Sequence, residues 1–179
     1  MARNTPALAL GAIALVVATA LPLDEANAQK RRIARGQYLV TIMSCTDCHT
    51  PGYFFGKPDD ARFLGGSDVG FEILGLGAFH GPNLTPDKDT GLGNWTDAQI
   101  VAAITKGVRP DGRKLAPVMP SPAFAKLTRS DTRAIVAYLR SLKPVSNKVP
   151  GPFGPQQKPT GFVMKVVPGE GMPPKPEQK

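Results

Sequence analysis

Residues 45–49 read Cys45-Thr46-Asp47-Cys48-His49, and the rest of the chain makes sense around them. Two cysteines three positions apart, on a helix, project from one side of a turn, so both thiols can reach the two vinyl groups along one haem edge. The next residue, His49, then turns its imidazole towards the iron. C-x-x-C-H is the attachment signature of c-type haem because it brings two covalent tethers and one proximal ligand to the same place.

Other chemistries use parts of this pattern. A thioredoxin-like dithiol also has C-x-x-C, but it opens a helix after a strand in a βαβ unit, and no such alternation follows here. A zinc ribbon needs a second pair of ligands, whereas the chain has only these two cysteines and one other histidine, His80. A structural disulfide would leave His49 without a role.

The chain has 179 residues, with 19 Gly and 19 Pro, which predicts one small core and a large share of irregular backbone. Its beginning reads as an export signal. Arg3 supplies a positive start, the 17 residues from Ala7 to Leu23 are apolar or small, and Ala26-Asn27-Ala28 fits an A-x-A cleavage site. An uncleaved anchor is the alternative, but the run is short and contains Gly11 and Pro22. Residues 1–28 are therefore expected to be a cleaved signal and 29–143 the domain, with 144–179 a Pro/Gly-rich extension of nine prolines and five glycines. Covalent haem attachment takes place on the exported side of a membrane, so a periplasmic location agrees with the motif.

The whole chain carries a formal charge of +8, and loss of Arg3, Asp24 and Glu25 with the signal leaves 21 basic and 12 acidic residues, or +9. Such a surface suits an acidic protein partner better than nucleic acid, given the exported haem motif. Lys30, Arg31, Arg32 and Arg35 form one basic group, and Arg109, Arg113 and Lys114 form another that could ring an exposed haem edge. Membrane contact is expected only through partners or an uncleaved signal.

The first helix is expected from about Ile33 into the haem motif, with Ile33, Tyr38, Leu39, Ile42 and Met43 as its apolar stripe and Gly36 admitting another helix at close range. From Thr50 to Asn94 the glycines interrupt every helical period, so a long loop with one small hairpin is expected, wrapped around something that replaces a core. Asp87-Lys88-Asp89-Thr90-Gly91 begins like a calcium loop but lacks its later ligands, and reads as a solvated turn. Two N-x-T matches, at Asn83 and Asn94, are too short a pattern to carry a function.

A second helix opens at Thr96 as N-cap with Asp97 in its first turn, buries Ile100, Ala103 and Ile104, and ends at Gly107. Trp95 stands just before it, either as a core residue or with its indole N–H on a haem propionate. A third helix follows Thr128, which pairs with Asp131 in a variant capping box. Its stripe is Ile135, Tyr138, Leu139 and Leu142, and Pro144 stops it.

Between these helices lies Leu115-Ala116-Pro117-Val118-Met119-Pro120-Ser121-Pro122, a loop stiffened by prolines. Met119 is 70 residues beyond His49, and its soft thioether suits the iron face opposite the histidine. Met164, His80, Met43 and Met172 are weaker rivals. In the tail, the apolar run to Val167 is expected to lie against the domain and Pro168 to Lys179 to be disordered.

Together these pieces resemble class I c-type cytochromes, and in particular the cytochrome subunits of periplasmic dehydrogenases. The matching stretches are GQYLV before CTDCHT, then NLTPDKDTGLGNWTD, GVRPDGRKLAPVMP and LTRSDTRAIVAYLRSLKPV, covering roughly residues 33 to 145. The resemblance implies an all-α cytochrome c fold wrapped around one covalent haem c, with first and last helices crossing where Gly36 meets Tyr138. It implies Cys45 and Cys48 as thioether attachment points and His49 and Met119 as axial ligands. It also implies a one-electron carrier rather than an enzyme, taking electrons from a dehydrogenase donor and passing them to an oxidase or another cytochrome. The competing readings are a peroxidase-like haem enzyme, with His80 as the acid–base candidate, and a haem-based ligand sensor.

Overall fold

The structure is a computed structural model that describes residues 13–167 and 170–171, with side chains from residue 24 onward. Five helices frame it: α1 (Ile13–Ile42), α2 (Cys45–His49), α3 (Asp97–Lys106), α4 (Ser121–Phe124) and α5 (Arg129–Ser141). Among the described residues, no helix is long and apolar enough to cross a membrane.

The crossing of α1 and α5 is the centre of the molecule. A Cβ added to Gly36 would overlap the Ala134 carbonyl oxygen and lie 2.7 Å from the Tyr138 Cβ, so the two backbones meet where a side chain is missing. That contact fixes which face of α1 is buried. Leu39 and Val40 are buried and Met43 packs against the same cluster, following Gly36 at helical spacing, while Tyr38 and Ile42 are 54% and 57% exposed. Reading Tyr38 and Ile42 as core was therefore wrong: the apolar stripe was taken one step around the helix from the face that Gly36 dictates. On α5, Ile135, Tyr138 and Leu139 are buried, and Leu142 packs beside them, as the sequence pattern requires.

Capping follows the sequence closely. Thr96 and Gln99 close α3 with a capping box, and Gly107 ends it at φ 63°. Thr128 accepts from the Asp131 N–H at the start of α5, which stops at Ser141, three residues before Pro144. Helix α1 begins twenty residues earlier than expected, at Ile13, and runs unbroken past Ala26-Asn27-Ala28; the first twelve residues of the expected signal lie outside the described residues.

The all-α expectation is corrected by a three-stranded sheet of β1 (Val69–Ile73), β2 (Gly77–His80) and β3 (Phe162–Lys165), in the order β2-β1-β3. Strands β1 and β2 form the expected hairpin, antiparallel, with Phe71 opposite Phe79. Strand β3 comes from the tail and pairs parallel with β1, Phe71 opposite Met164. Only four to five residues long, these strands alternate weakly, so periodicity did not mark β3 as sheet. Most of the expectation for Pro168 to Lys179 falls outside the described residues.

Buried polar groups hold the long segment between α2 and α3. Asn83 is 1% exposed. Its amide donates to Thr90 Oγ1 at 2.9 Å and to the Val145 carbonyl at 2.6 Å, while its Oδ1 accepts from the Thr85 N–H at 2.9 Å and hydroxyl at 2.7 Å. Beyond it, Asn147 donates to the Gly65 carbonyl and Phe153 bridges to Ala78, so the tail straps the loop down. Each buried group left unpaired costs about 1–3 kcal/mol, so Asn83→Ala is expected to lower stability by roughly 3 kcal/mol. A fall in the urea midpoint at unchanged slope would show it. Asn83 is thus a structural residue, and Asp87 simply accepts from Thr90 in a solvated turn.

Candidate functional site

Helix α2 is five residues long and consists of the motif itself, Cys45–His49. Its short length makes it dependent on neighbours, and the segment that follows supplies them. The His49 carbonyl accepts from the Gly66 N–H at 2.8 Å, and the Thr50 hydroxyl accepts from the Leu64 N–H at 3.1 Å. Gly81 closes against the turn so tightly that an added Cβ would overlap the Cys48 carbonyl oxygen and reach 3.3 Å from His49 Nδ1. Gly81→Ala is therefore expected to prise Pro82 away from His49 and to cost about 1–3 kcal/mol, the usual penalty of overpacking. Thermal denaturation of the haem-loaded protein checks this; an unchanged Tm would mean that the close approach is unimportant.

Pro82 carries the interaction that orients the histidine. Its carbonyl lies 2.7 Å from His49 Nδ1 and accepts the proton there, which leaves Nε2 as the unprotonated ring atom with its lone pair available. His49 is 7% exposed. Burial pushes its imidazole below the ordinary histidine range, against an opposing pull from the Pro82 carbonyl, so the ring is neutral at pH 7. A neutral imidazole of fixed tautomer is what a metal requires.

The two thiols are free. Burial pushes Cys45 up to about 11, with the charges of Cys48 and Asp47 adding, and burial raises Cys48 as well. A redox dithiol needs a lowered pKa, so these cysteines lack the electrostatics of a thioredoxin-like pair. Among the described residues, no group of three or more His, Cys, Asp or Glu side chains could hold a metal ion, which leaves the zinc reading without ligands.

The other candidates are dispersed. Met119 is half-buried in a tight turn, its N–H donating to the Ala116 carbonyl and its own carbonyl accepting from the Ser121 N–H. Ser121, buried at the start of α4, seats this loop against α3, the Ala103 carbonyl lying 3.5 Å from its hydroxyl. The proline-rich stretch thus ends in a helical turn that its composition hid. Met43 packs on the core, Met164 lies on β3, and Met172 is outside the described residues. His80 is buried on β2, its ring 6.3 Å from that of Phe153.

Trp95 is part of the core rim, and Arg109 lies over its indole at 4.9 Å. Arg140 of α5 fixes this corner, its guanidinium donating to the Leu92 and Trp95 carbonyls and to the Asp97 carboxylate. Among the described residues, the Nε of Arg109 is buried with no hydrogen-bond partner, the Asp111 carboxylate lying 3.6 Å away. A neutral imidazole beside two free thiols on one short helix is a donor set that fits haem c.

Comparison with known proteins agrees with that chemistry. The Cytochrome c family matches residues 33–143. The chain belongs to the cytochrome c family. This is a family of electron-transfer proteins, not enzymes in their own right, whose haem is covalently bound. The cytochrome is 36% identical over 147 residues to the cytochrome c subunit of alcohol dehydrogenase (quinone) from Gluconobacter oxydans (strain 621H), covering 80% of the chain and 28% of that relative. It is 36% identical over 135 residues to the fructose dehydrogenase cytochrome subunit of Gluconobacter japonicus, covering 72% and 26%. It is 33% identical over 147 residues to the gluconate 2-dehydrogenase cytochrome c subunit of Pantoea cypripedii, covering 82% and 30%. The cytochrome therefore spans less than a third of the length of these curated relatives.

Sequence reasoning did not find Pro82, Gly81 or Arg140. A backbone carbonyl has no sequence signature, and Gly81 was one glycine among many. Arg140 sits on the polar side of α5, where an arginine is ordinarily a solvated charge.

Proposed function

We propose that this cytochrome is an exported, monohaem electron carrier that moves one electron at a time from a periplasmic dehydrogenase to an oxidase or another cytochrome. The observation that carries this reading is the 2.7 Å contact between His49 Nδ1 and the Pro82 carbonyl, which prepares Nε2 as a ligand beside two free thiols. In this reading Cys45 and Cys48 tether one haem c through thioethers. His49 and Met119 would ligate its iron, and Trp95 would be a contact of its propionates.

Bound haem supplies a reversible one-electron couple. With His49 and Met119 both as ligands, the iron would have no position open to oxygen or peroxide and would rearrange little on reduction. Helix α1 and the hydrogen bonds from Gly66 and Leu64 hold α2 in place, and the Pro82 carbonyl fixes the histidine in one tautomer. Residues 1–28 serve as the export signal, 29–143 as the haem domain and 144–179 as an extension that straps the domain. Relatives named as cytochrome subunits of dehydrogenases support a dehydrogenase as donor.

The mass of the protein purified from the periplasm of a host competent in haem attachment tests this. The expected mass is that of residues 29–179 plus one haem. A mass without haem, or one that still includes residues 1–28, would contradict it.

A further inference from the structure

One end of the sheet is apolar where a surface turn is ordinarily polar. Strands β1 and β2 are joined by Leu74-Gly75-Leu76, closed by the Leu76 N–H on the Ile73 carbonyl at 2.9 Å, with Gly75 at φ 77°. Tight turns favour Gly, Asn, Asp, Pro and Ser, whereas this one presents two leucines. Leu74 is 95% exposed, and Leu76 is exposed beside it. Strand β3 runs parallel to β1, so the two finish at the same end of the sheet. Continuing the register from Glu72 opposite Lys165 brings Val166 beside Ile73 and Val167 beside Leu74. Val166 is 100% exposed and Val167 is exposed too. Two segments distant in the chain thus place Leu74, Leu76, Val166 and Val167 on one tip.

Neighbours hold that tip in place. On one edge the Phe153 N–H donates to the Ala78 carbonyl at 2.9 Å, and a Cβ on Gly77 would overlap the Phe153 carbonyl oxygen. On the other edge Lys165 pairs with Glu72 at 2.8 Å, so the base of the tip carries no lone charge from either strand. Lys158 is exposed in the loop of residues 154–159 that lies beside the turn, and Glu170 is exposed three residues past Val167. Charge near the tip is therefore balanced, while the chain as a whole carries +8.

These features select among occupants. Protein interfaces draw their energy mainly from Trp, Tyr and Arg, and Leu and Val are under-represented among their anchors. A second copy would bring the same positive charge against itself. A lipid surface with anionic head groups satisfies both observations, because short aliphatic side chains enter its apolar layer and the basic remainder is drawn to the head groups.

We propose that the tip formed by Leu74, Leu76, Val166 and Val167 inserts into the surface of an anionic bilayer and docks the cytochrome there. Membrane contact then needs neither a partner nor an uncleaved signal. The docking uses the sheet alone and does not depend on the haem reading; what it adds to that reading is orientation. Strand β2 leads from the tip to Gly81 and Pro82, which touch the haem motif, so at about 3.3 Å per residue the His49 side is held on the order of 15 Å from the tip.

Co-sedimentation of the haem-loaded protein with lipid vesicles tests this. The parent is expected to bind vesicles of phosphatidylcholine mixed with phosphatidylglycerol, and to bind phosphatidylcholine alone more weakly. Leu74→Ser and Val166→Ser each alter a side chain that lies outside the folded core, and each is expected to weaken binding roughly tenfold. Tyr38→Ser, at an exposed position on α1, should leave binding unchanged. At roughly 1 M salt, where the Debye length is about 3 Å, binding to the mixed vesicles should fall towards the phosphatidylcholine level and stay there. A parent that does not bind, binding equal in the parent and both tip variants, or binding that salt abolishes would each overturn the proposal. A dimer in solution that Leu74→Ser breaks, with no binding to vesicles, overturns it as well and assigns the tip to a second copy.

Discussion

Gly36→Leu is expected to abolish the stable fold, and Gly36→Ala to weaken it measurably. In an isolated helix, alanine would be favoured over glycine by about 1 kcal/mol. Here the added Cβ falls on the Ala134 carbonyl oxygen and within 2.7 Å of the Tyr138 Cβ. A flexible side chain could yield, but the backbone of α5 cannot, so the helices must separate. Overpacking of this kind costs about 1–3 kcal/mol for a single methyl and more for a larger group. The crossing also buries Leu39, Val40, Ile135 and Leu139, and a domain of this size has only about 5–15 kcal/mol to lose. Urea denaturation followed at the haem band would show it: a Gly36→Leu protein with the parent midpoint would disprove the close-packed crossing.

Met119→Ala is expected to have the largest effect on chemistry. If Met119 is the second iron ligand, as proposed, its removal would leave the iron without a thioether that stabilises the ferrous state. The potential should fall by on the order of a hundred millivolts or more, within the roughly 0.8 V range that axial ligands command. Carbon monoxide should then bind the reduced protein. Cyclic voltammetry and the visible spectrum read both effects, and an unchanged potential with an unchanged spectrum would remove Met119 from the ligand set.

Much of this was legible in the sequence because it rests on local rules. Thr96, Asp97 and Gly107 bound α3, Thr128 and Asp131 open α5, and Gly36 and Tyr138 meet as the family resemblance implies. Cys45, Cys48 and His49 share one short helix. What escaped depends on contacts distant in sequence. Strand β3 exists because β1 offers it an edge, and the buried polarity of Asn83 is satisfied by Val145, 62 residues away. The face of α1 was misjudged for a related reason: Tyr38 and Ile42 are apolar enough for a core, yet only the position of α5 decides which stripe is covered.

Addition of carbon monoxide to the reduced, haem-loaded protein tests the central claim most directly. With His49 and Met119 both bound to iron, the visible spectrum should not change. A rapid shift to a carbon monoxide spectrum would mean an open or weakly held position and would contradict the electron-carrier account in favour of an enzyme or a sensor.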